Sequence, residues 1–329
     1  MIIYEPPHAA TEIPLIDLTD SFSDDLEKRK AVAWEIHKAC VDTGFFYIKN
    51  HGIPQEVMDA QLKLAAEFFD LPMEEKMKLD SVQQHSTRGY EPMAAQTLDE
   101  GSPPGLKEGF MSSVEAGPDH RYTKLEVPGT GPNQWPDEAF PEFRPQYEAY
   151  VEKVLDLGRH LARLVALSLE LPEDYFDEAL VEPLHYCRIL KYPPMPKDAA
   201  ENQLGAGAHT DWGLLTLLLQ DDIGGLEVRN ADGQWISAPP IPGTYIINLG
   251  EMLPVITNDR YKANFHRVLN NKTDKTRYSC PTFCDPEYFY KVECAPTILE
   301  HDGYAKYPAM TAGEHLRAQF EKTFGIAAK

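Results

Sequence analysis

Residues 205–220 read GAGAHTDWGLLTLLLQ, and the reading of this stretch decides the fold. Leu214 to Leu219 is a short apolar run with the length of a buried strand rather than a helix. Further strand candidates lie on both sides of it: Tyr186 to Tyr192, Leu226 to Arg229, Trp235 to Ala238, Thr244 to Asn248, Phe265 to Leu269 and Tyr278 to Phe283. Asn230-Ala231-Asp232-Gly233 is a hairpin signal between two of them. Many short strands joined by turns, with helices on either side, predict a mainly β fold with flanking helices, built as a sandwich or jelly roll.

The flanking helices are legible further out. Residues from about Asp25 to Thr43 read as a helix stopped by Gly44, before a strand from Phe45 to Lys49. An earlier strand is expected over Ile13 to Leu18, and helices over about 54–69 and 142–170. Leu171-Pro172 is read as opening a short helix that contains Tyr175 and Phe176. Residues from about 80 to 140 are rich in Gly, Pro and polar side chains and read as long loops with a few short elements, of the kind that carry binding residues in enzymes. A last amphipathic helix is expected over 312–324. No repeat or linker divides the chain. The expectation is one domain over 1–329, with a helical and loop part at 1–140 and the main part of the core at 185–285.

Composition narrows the function. The chain has 329 residues, 43% of them apolar, enough for a sizeable core. Its formal net charge of −21 repels phosphate backbones and anionic lipid, which argues against nucleic acid and membrane surfaces as partners. No run approaches the roughly 18 apolar residues of a membrane span. The N-terminal MIIYEPPHAATEIP lacks the basic start of a signal peptide. The odd count of 5 cysteines suggests reduced thiols, and a cytoplasmic location is expected. Cys280 and Cys284 have no second pair at zinc-site spacing and read as buried strand thiols.

His209 and Asp211 are two residues apart, so in an extended strand they face the same side and can converge on one ion. In isolation the pair fits a hydrogen-bonded histidine beside an acid better than an ion site. His266, at the head of FHRVLNN, supplies a third donor. Two imidazoles and one carboxylate leave half of an octahedral site open, which suits a non-haem Fe(II) oxygenase that must admit O₂ and a co-substrate. Arg277-Tyr278-Ser279 follows a polar, turn-like stretch, so the region reads as a hairpin. If its loop has an even residue count, Arg277 and Ser279 share the face of His266 and Val268. A guanidinium beside a hydroxyl suits a carboxylate.

In this order, IPLIDLTD, DTGFFYIKNHGIP, KYPP, HTDWGLLTLLLQD, GGLEV, NLGEML, FHRV and RYS resemble the iron(II)/2-oxoglutarate dioxygenase superfamily, in its isopenicillin N synthase-like branch. The resemblance covers nearly the whole chain and implies a double-stranded β-helix (jelly-roll) core. It assigns His209, Asp211 and His266 to iron, and Arg277 and Ser279 to the distal carboxylate of 2-oxoglutarate. Tyr192 matches a position that hydrogen-bonds the co-substrate in some members, while Leu190 stands where those members have an asparagine. Asn248, Gly250 and Glu251 resemble a strand-end turn that serves the backbone. The implied reaction consumes O₂ and 2-oxoglutarate, releases succinate and CO₂, and oxidises a small molecule, most simply by hydroxylation.

Candidate substrate contacts are Trp212 and Phe283, as aromatics on a sheet face, and Tyr90 and Phe110, from the loop-rich first half. Arg188 shares a strand face with Leu190 and Tyr192 in HYCRILKYPP, which resembles the corresponding strand of the bacterial ethylene-forming enzyme. A guanidinium in a barrel needs an anion, so a carboxylate on the substrate is one candidate and a neighbouring Asp or Glu is the other. Two rival readings stay open at this point. One is an iron oxidase of the same fold that does not use 2-oxoglutarate, and the other is a non-catalytic jelly-roll binding protein. A dinucleotide dehydrogenase is set aside, because Gly205-Ala206-Gly207 runs on to Thr210 with no βαβ unit around it.

Overall fold

The computed structural model describes residues 10–81, 88–95, 103–127, 129–196 and 203–324. Residues 1–9, which contain most of the stretch read above for a leader, lie outside the described residues, as do parts of the 80–140 region. The chain begins with strand β1 (Leu15–Asp17), helix α1 (Leu26–Asp42) and strand β2 (Phe45–Lys49). Asp25 caps α1 by accepting a hydrogen bond from the backbone N–H of Glu27 at 3.0 Å. Gly44, at φ 64°, ends it by returning its own N–H to the Ala39 carbonyl. Helices α2 (Gln55–Phe69) and α3 (Met73–Met77), strands β3 (Gly89–Glu91) and β4 (Glu108–Ser113), and helices α4 (Arg121–Lys124) and α5 (Phe143–Ser168) follow.

The second half supplies β5 (Leu184–Tyr192), β6 (Ala206–His209), β7 (Leu215–Gln220), β8 (Leu226–Arg229), β9 (Trp235–Ser237) and β10 (Tyr245–Leu249). After helix α6 (Met252–Ile256) come β11 (His266–Val268), β12 (Arg277–Asp285) and β13 (Lys291–Val292). Helix α7 (Pro296–Asp302), strand β14 (Met310–Thr311) and helix α8 (Ala312–Phe324) complete the described chain. Eight strands form one sheet in the order β1-β2-β10-β7-β12-β5-β4-β3, and β6-β11-β8-β9 form a second. The two sheets face each other as a jelly roll, with helices on the outer side of the larger one.

Alternation along the strands sorts side chains between the two faces of the large sheet. From β2, Phe46 and Ile48 join the outer core, where α1, α2 and α5 pack. Phe45 and Tyr47 point the other way, into the space between the sheets, with Leu190, Tyr192, Ile246 and Val268. The outer core includes Phe68, Phe110, Phe143 and Tyr147, whose rings lie 4.9–5.7 Å apart. Each contributes about 1.5–3 kcal/mol of burial. All five cysteines are free and buried, as the sequence suggested. No helix among the described residues is long and apolar enough to cross a membrane.

Two expectations change. His266 and Arg277 do not lie on one hairpin: β11 pairs with β6 and β8, whereas β12 pairs with β5 and β7, so residues 269–276 cross from one sheet to the other. The few short elements expected within 80–140 include β3 and β4, which extend the large sheet beyond β5. Tyr175 and Phe176 sit in turns that lead to a 3₁₀ segment at Glu178–Leu180, rather than inside a helix.

Candidate metal centre and cavity

His209 closes β6 and His266 opens β11, and the two are directly paired in the small sheet. Asp211 lies just past β6. One ligand atom from each of the three residues falls within 4.8 Å of the others. Oδ1 of Asp211 stands 3.7 Å from Nε2 of His209 and 3.6 Å from Nε2 of His266. Those separations are too long for hydrogen bonds, so the three groups point at a common centre rather than at one another. The donor set, two imidazoles and a carboxylate, fits Fe(II) with open positions left over.

The surroundings hold each ligand ready. Nδ1 of His209 donates to the Gly207 carbonyl at 2.8 Å and Nδ1 of His266 faces the Asn264 carbonyl at 3.4 Å, which leaves both Nε2 lone pairs toward the centre. Burial, reinforced by the neighbouring His266, holds His209 well below the usual imidazole range and therefore neutral. Burial works against ionisation of Asp211. The two histidines and hydrogen bonds from Thr216 and Asn248 outweigh it and hold the carboxyl below its usual value. Both bonds reach the same oxygen: Thr216 Oγ1 donates to Oδ2 at 2.5 Å and Asn248 Nδ2 at 2.7 Å, so Oδ1 is left for the ion. Thr216 on β7 and Asn248 on β10 face each other in register, which is why they converge.

The three groups open onto a cavity of about 360 Å³ between the sheets, within the range of small-molecule sites. Arg277 lies in its wall, opposite Tyr192 in the β12–β5 register, and is 2% exposed. Its guanidinium carbon sits 4.7 Å above the Tyr192 ring. Among the described residues its hydrogen bonds go only to neutral groups, Gln220 Oε1 at 3.2 Å and Ser279 Oγ at 3.4 Å, and its Nε has no partner. Among the described residues no carboxylate forms an ion pair with this buried cation.

Trp212, Phe283 and Arg188 also line the cavity, as the sequence suggested. Arg188, however, is bonded to Glu91, so the acid partner weighed in the sequence is present. Tyr90 and Phe110 are elsewhere. They face each other across β3 and β4, are fully buried and pack in the outer core, where Tyr90 donates to Glu108 at 2.6 Å. Alternation is the reason, since their neighbours Glu91 and Met111 take the cavity side. Sequence reasoning missed Glu91 and Lys107, which line the cavity. It also missed Thr216 and Gln220, although a polar residue inside the run LLTLLLQ is the signal that finds them. Asn248 serves Asp211 through its side chain, beyond the backbone role expected of it.

Residues 184–286 match the 2OG-Fe(II) oxygenase superfamily, and residues 13–138 match the family described as non-haem dioxygenase in morphine synthesis N-terminal. A 2-oxoglutarate-Fe(II) type oxidoreductase of Emericella nidulans is 36% identical over 323 residues, covering 97% of this chain and 92% of its own. A homoarginine-6-hydroxylase of Oryza sativa subsp. japonica is 38% identical, with 92% of this chain and 95% of its own covered. The crystal structure of a full-length Neurospora crassa protein in complex with alpha-KG and thymine superposes with a TM-score of 0.82 at 27% identity, over 95% of this chain and 96% of the other.

Proposed function

As a member of the 2OG-Fe(II) oxygenase superfamily, this chain is an Fe(II)- and 2-oxoglutarate-dependent dioxygenase, and we propose that His209, Asp211 and His266 are its iron ligands. The observation that carries this reading is the convergence of their three donor atoms within 4.8 Å, at separations that exclude mutual hydrogen bonding. Bound Fe(II) supplies the redox chemistry by which O₂ converts 2-oxoglutarate to succinate and CO₂ while a C–H bond of the substrate is oxidised. Thr216 and Asn248 orient Asp211 for that ion. Arg277 receives the distal carboxylate of 2-oxoglutarate, with Ser279 as a further donor and Tyr192 under the guanidinium. The support is a buried cation bonded, among the described residues, only to neutral groups, which is costly unless an anion meets it.

The substrate is a small molecule. Trp212 and Phe283 offer it apolar wall, which shields the reacting centre from water. We infer that it carries an anionic group, a carboxylate, directed toward the Arg188 end of the cavity. L-Homoarginine has such a group and thymine does not, so the pair tests both the reading and the class. The Fe(II)-loaded protein should release succinate from 2-oxoglutarate, and a carboxylate-bearing probe should raise that release while thymine should not. Oxygen uptake that is indifferent to 2-oxoglutarate would overturn the assignment of Arg277. Stimulation by thymine alone would overturn the carboxylate.

A further inference from the structure

We propose that Lys107 takes the substrate's carboxylate, with the Arg188–Glu91 pair braced beside it as a neutral wall; the proposal rests on the oxygenase reading above. Lys107 immediately precedes β4, and alternation separates it from Glu108. Glu108 turns to the outer core, where Lys76 and Lys191 meet it at 3.0 and 3.1 Å. Lys107 turns the other way and lines the cavity, as Met111 does further along the same strand. It is 5% exposed, yet its ammonium makes no hydrogen bond or ion pair among the described residues. Burial first, and then the nearby Arg188, lower its pKa to about 7, with Glu91 pulling the other way. An amine held there sheds its proton near neutral pH unless an anion meets it, and a carboxylate would restore its charge.

Arg188 does not lack one. It lies opposite Met111 in the β5–β4 register, and Glu91 lies opposite Gly109 across β3 and β4. A Cβ on Gly109 would stand 3.0 Å from Oε2 of Glu91 and 3.1 Å from Leu190, so the missing side chain leaves the space over which Arg188 and Glu91 join. Their charges cancel. With Arg277 assigned to 2-oxoglutarate, Lys107 is the one uncompensated cation among these lining groups, and it matches a monoanion. Its charge also reaches His209, which puts it within electrostatic range of the metal ligands. A carboxylate held there would anchor a substrate whose remaining atoms extend across the cavity toward the iron.

The test uses matched acids and carboxamides: phenylacetate with phenylacetamide, and L-arginine with L-argininamide. Binding to anaerobic protein saturated with Fe(II) and 2-oxoglutarate is read by tryptophan emission, since Trp212 lines the cavity. In the wild type at least one acid should bind about tenfold or more tighter than its amide, the size expected of a charge-assisted contact. Lys107→Met should remove that gap and Lys107→Glu should reverse it toward the amide. Glu91→Gln, which frees Arg188, should tighten the acid. An acid–amide gap that survives in Lys107→Met overturns the proposal, and so does a panel in which no acid is preferred. Succinate release by the wild type is measured alongside: its absence sinks the oxygenase reading itself, whereas its presence with a persistent gap sinks only the role of Lys107.

Discussion

Asn248 donates its side-chain amide to the same oxygen of Asp211 that Thr216 bonds, at 2.7 and 2.5 Å. The carboxylate is thereby held from behind by two neutral donors on two adjacent strands, and its free oxygen faces the histidines. Asn248→Ala should weaken Fe(II) binding about 10- to 100-fold, the usual cost of losing a group that orients a metal ligand. A metal titration by calorimetry, with far-ultraviolet dichroism to show an intact fold, measures it. Wild-type affinity in that variant would mean that Thr216 alone suffices.

Removing a ligand should do more. His209→Ala, Asp211→Ala and His266→Ala should each abolish turnover and greatly weaken iron binding, because no other His, Asp, Glu or Cys among the described residues completes a cluster of three. The fold should persist, since the outer core of Phe68, Phe110, Phe143 and Tyr147 lies on the other face of the sheet. A variant that keeps iron and turns over normally takes its residue off the list of ligands.

Arg277→Ala should raise the dissociation constant for 2-oxoglutarate about 10- to 100-fold, the loss of a charge-assisted contact in a buried site. Iron affinity should change little, because Arg277 bonds Gln220 and Ser279 and none of the metal ligands. Titration with 2-oxoglutarate separates the two effects. An unchanged dissociation constant would leave Arg277 a structural cation stacked on Tyr192.

The strand FFYIK was legible because Gly44 precedes it and Asn50-His51-Gly52 follows, and the structure places β2 at those bounds. The three metal donors were legible because chemistry restricts which residue types can serve. Residues 269–276 were not, since a crossing between sheets and a hairpin turn share the same polar composition. Tyr90 and Phe110 were named only for lying in the loop-rich first half: without knowing that β3 and β4 join the large sheet, nothing tells which of Tyr90 and Glu91 faces the cavity. Lys107 was hidden for the same reason, in a Gly- and Pro-rich stretch whose partner strand begins at Leu184.

Gly213 lies against Asp285 so closely that an added Cβ would stand 1.5 Å from its Oδ1. The approach lets Asp285 accept the backbone N–H of Leu214 at 2.9 Å and fixes the loop that carries Asp211. Gly213→Ala should therefore destabilise the fold by about 1–3 kcal/mol, as overpacking does, and weaken iron binding with it. Chemical denaturation and metal titration check the two parts. If stability fell while iron affinity held, the loop would tolerate the shift without moving Asp211.

Asp285 itself should make stability depend on pH. It is 2% exposed, and burial pushes its carboxyl up to about 7, with Asp211 adding to the rise and the Leu214 N–H opposing it. An unfolded aspartate titrates near ~3.9. Between those values the folded protein holds a proton that the unfolded chain has lost, so this group's stabilising contribution is complete below about pH 4 and is lost as pH rises toward about 7. Asp285→Asn mimics the protonated acid, keeps the acceptor for Leu214 and cannot titrate. The difference in melting temperature, variant minus wild type, should grow from pH 5 to pH 7 and level off above that. Differential scanning calorimetry at pH 5, 6, 7 and 8 reads it directly. A difference that stays constant across the series would show that Asp285 is ionised throughout, with the Leu214 N–H enough to hold its charge.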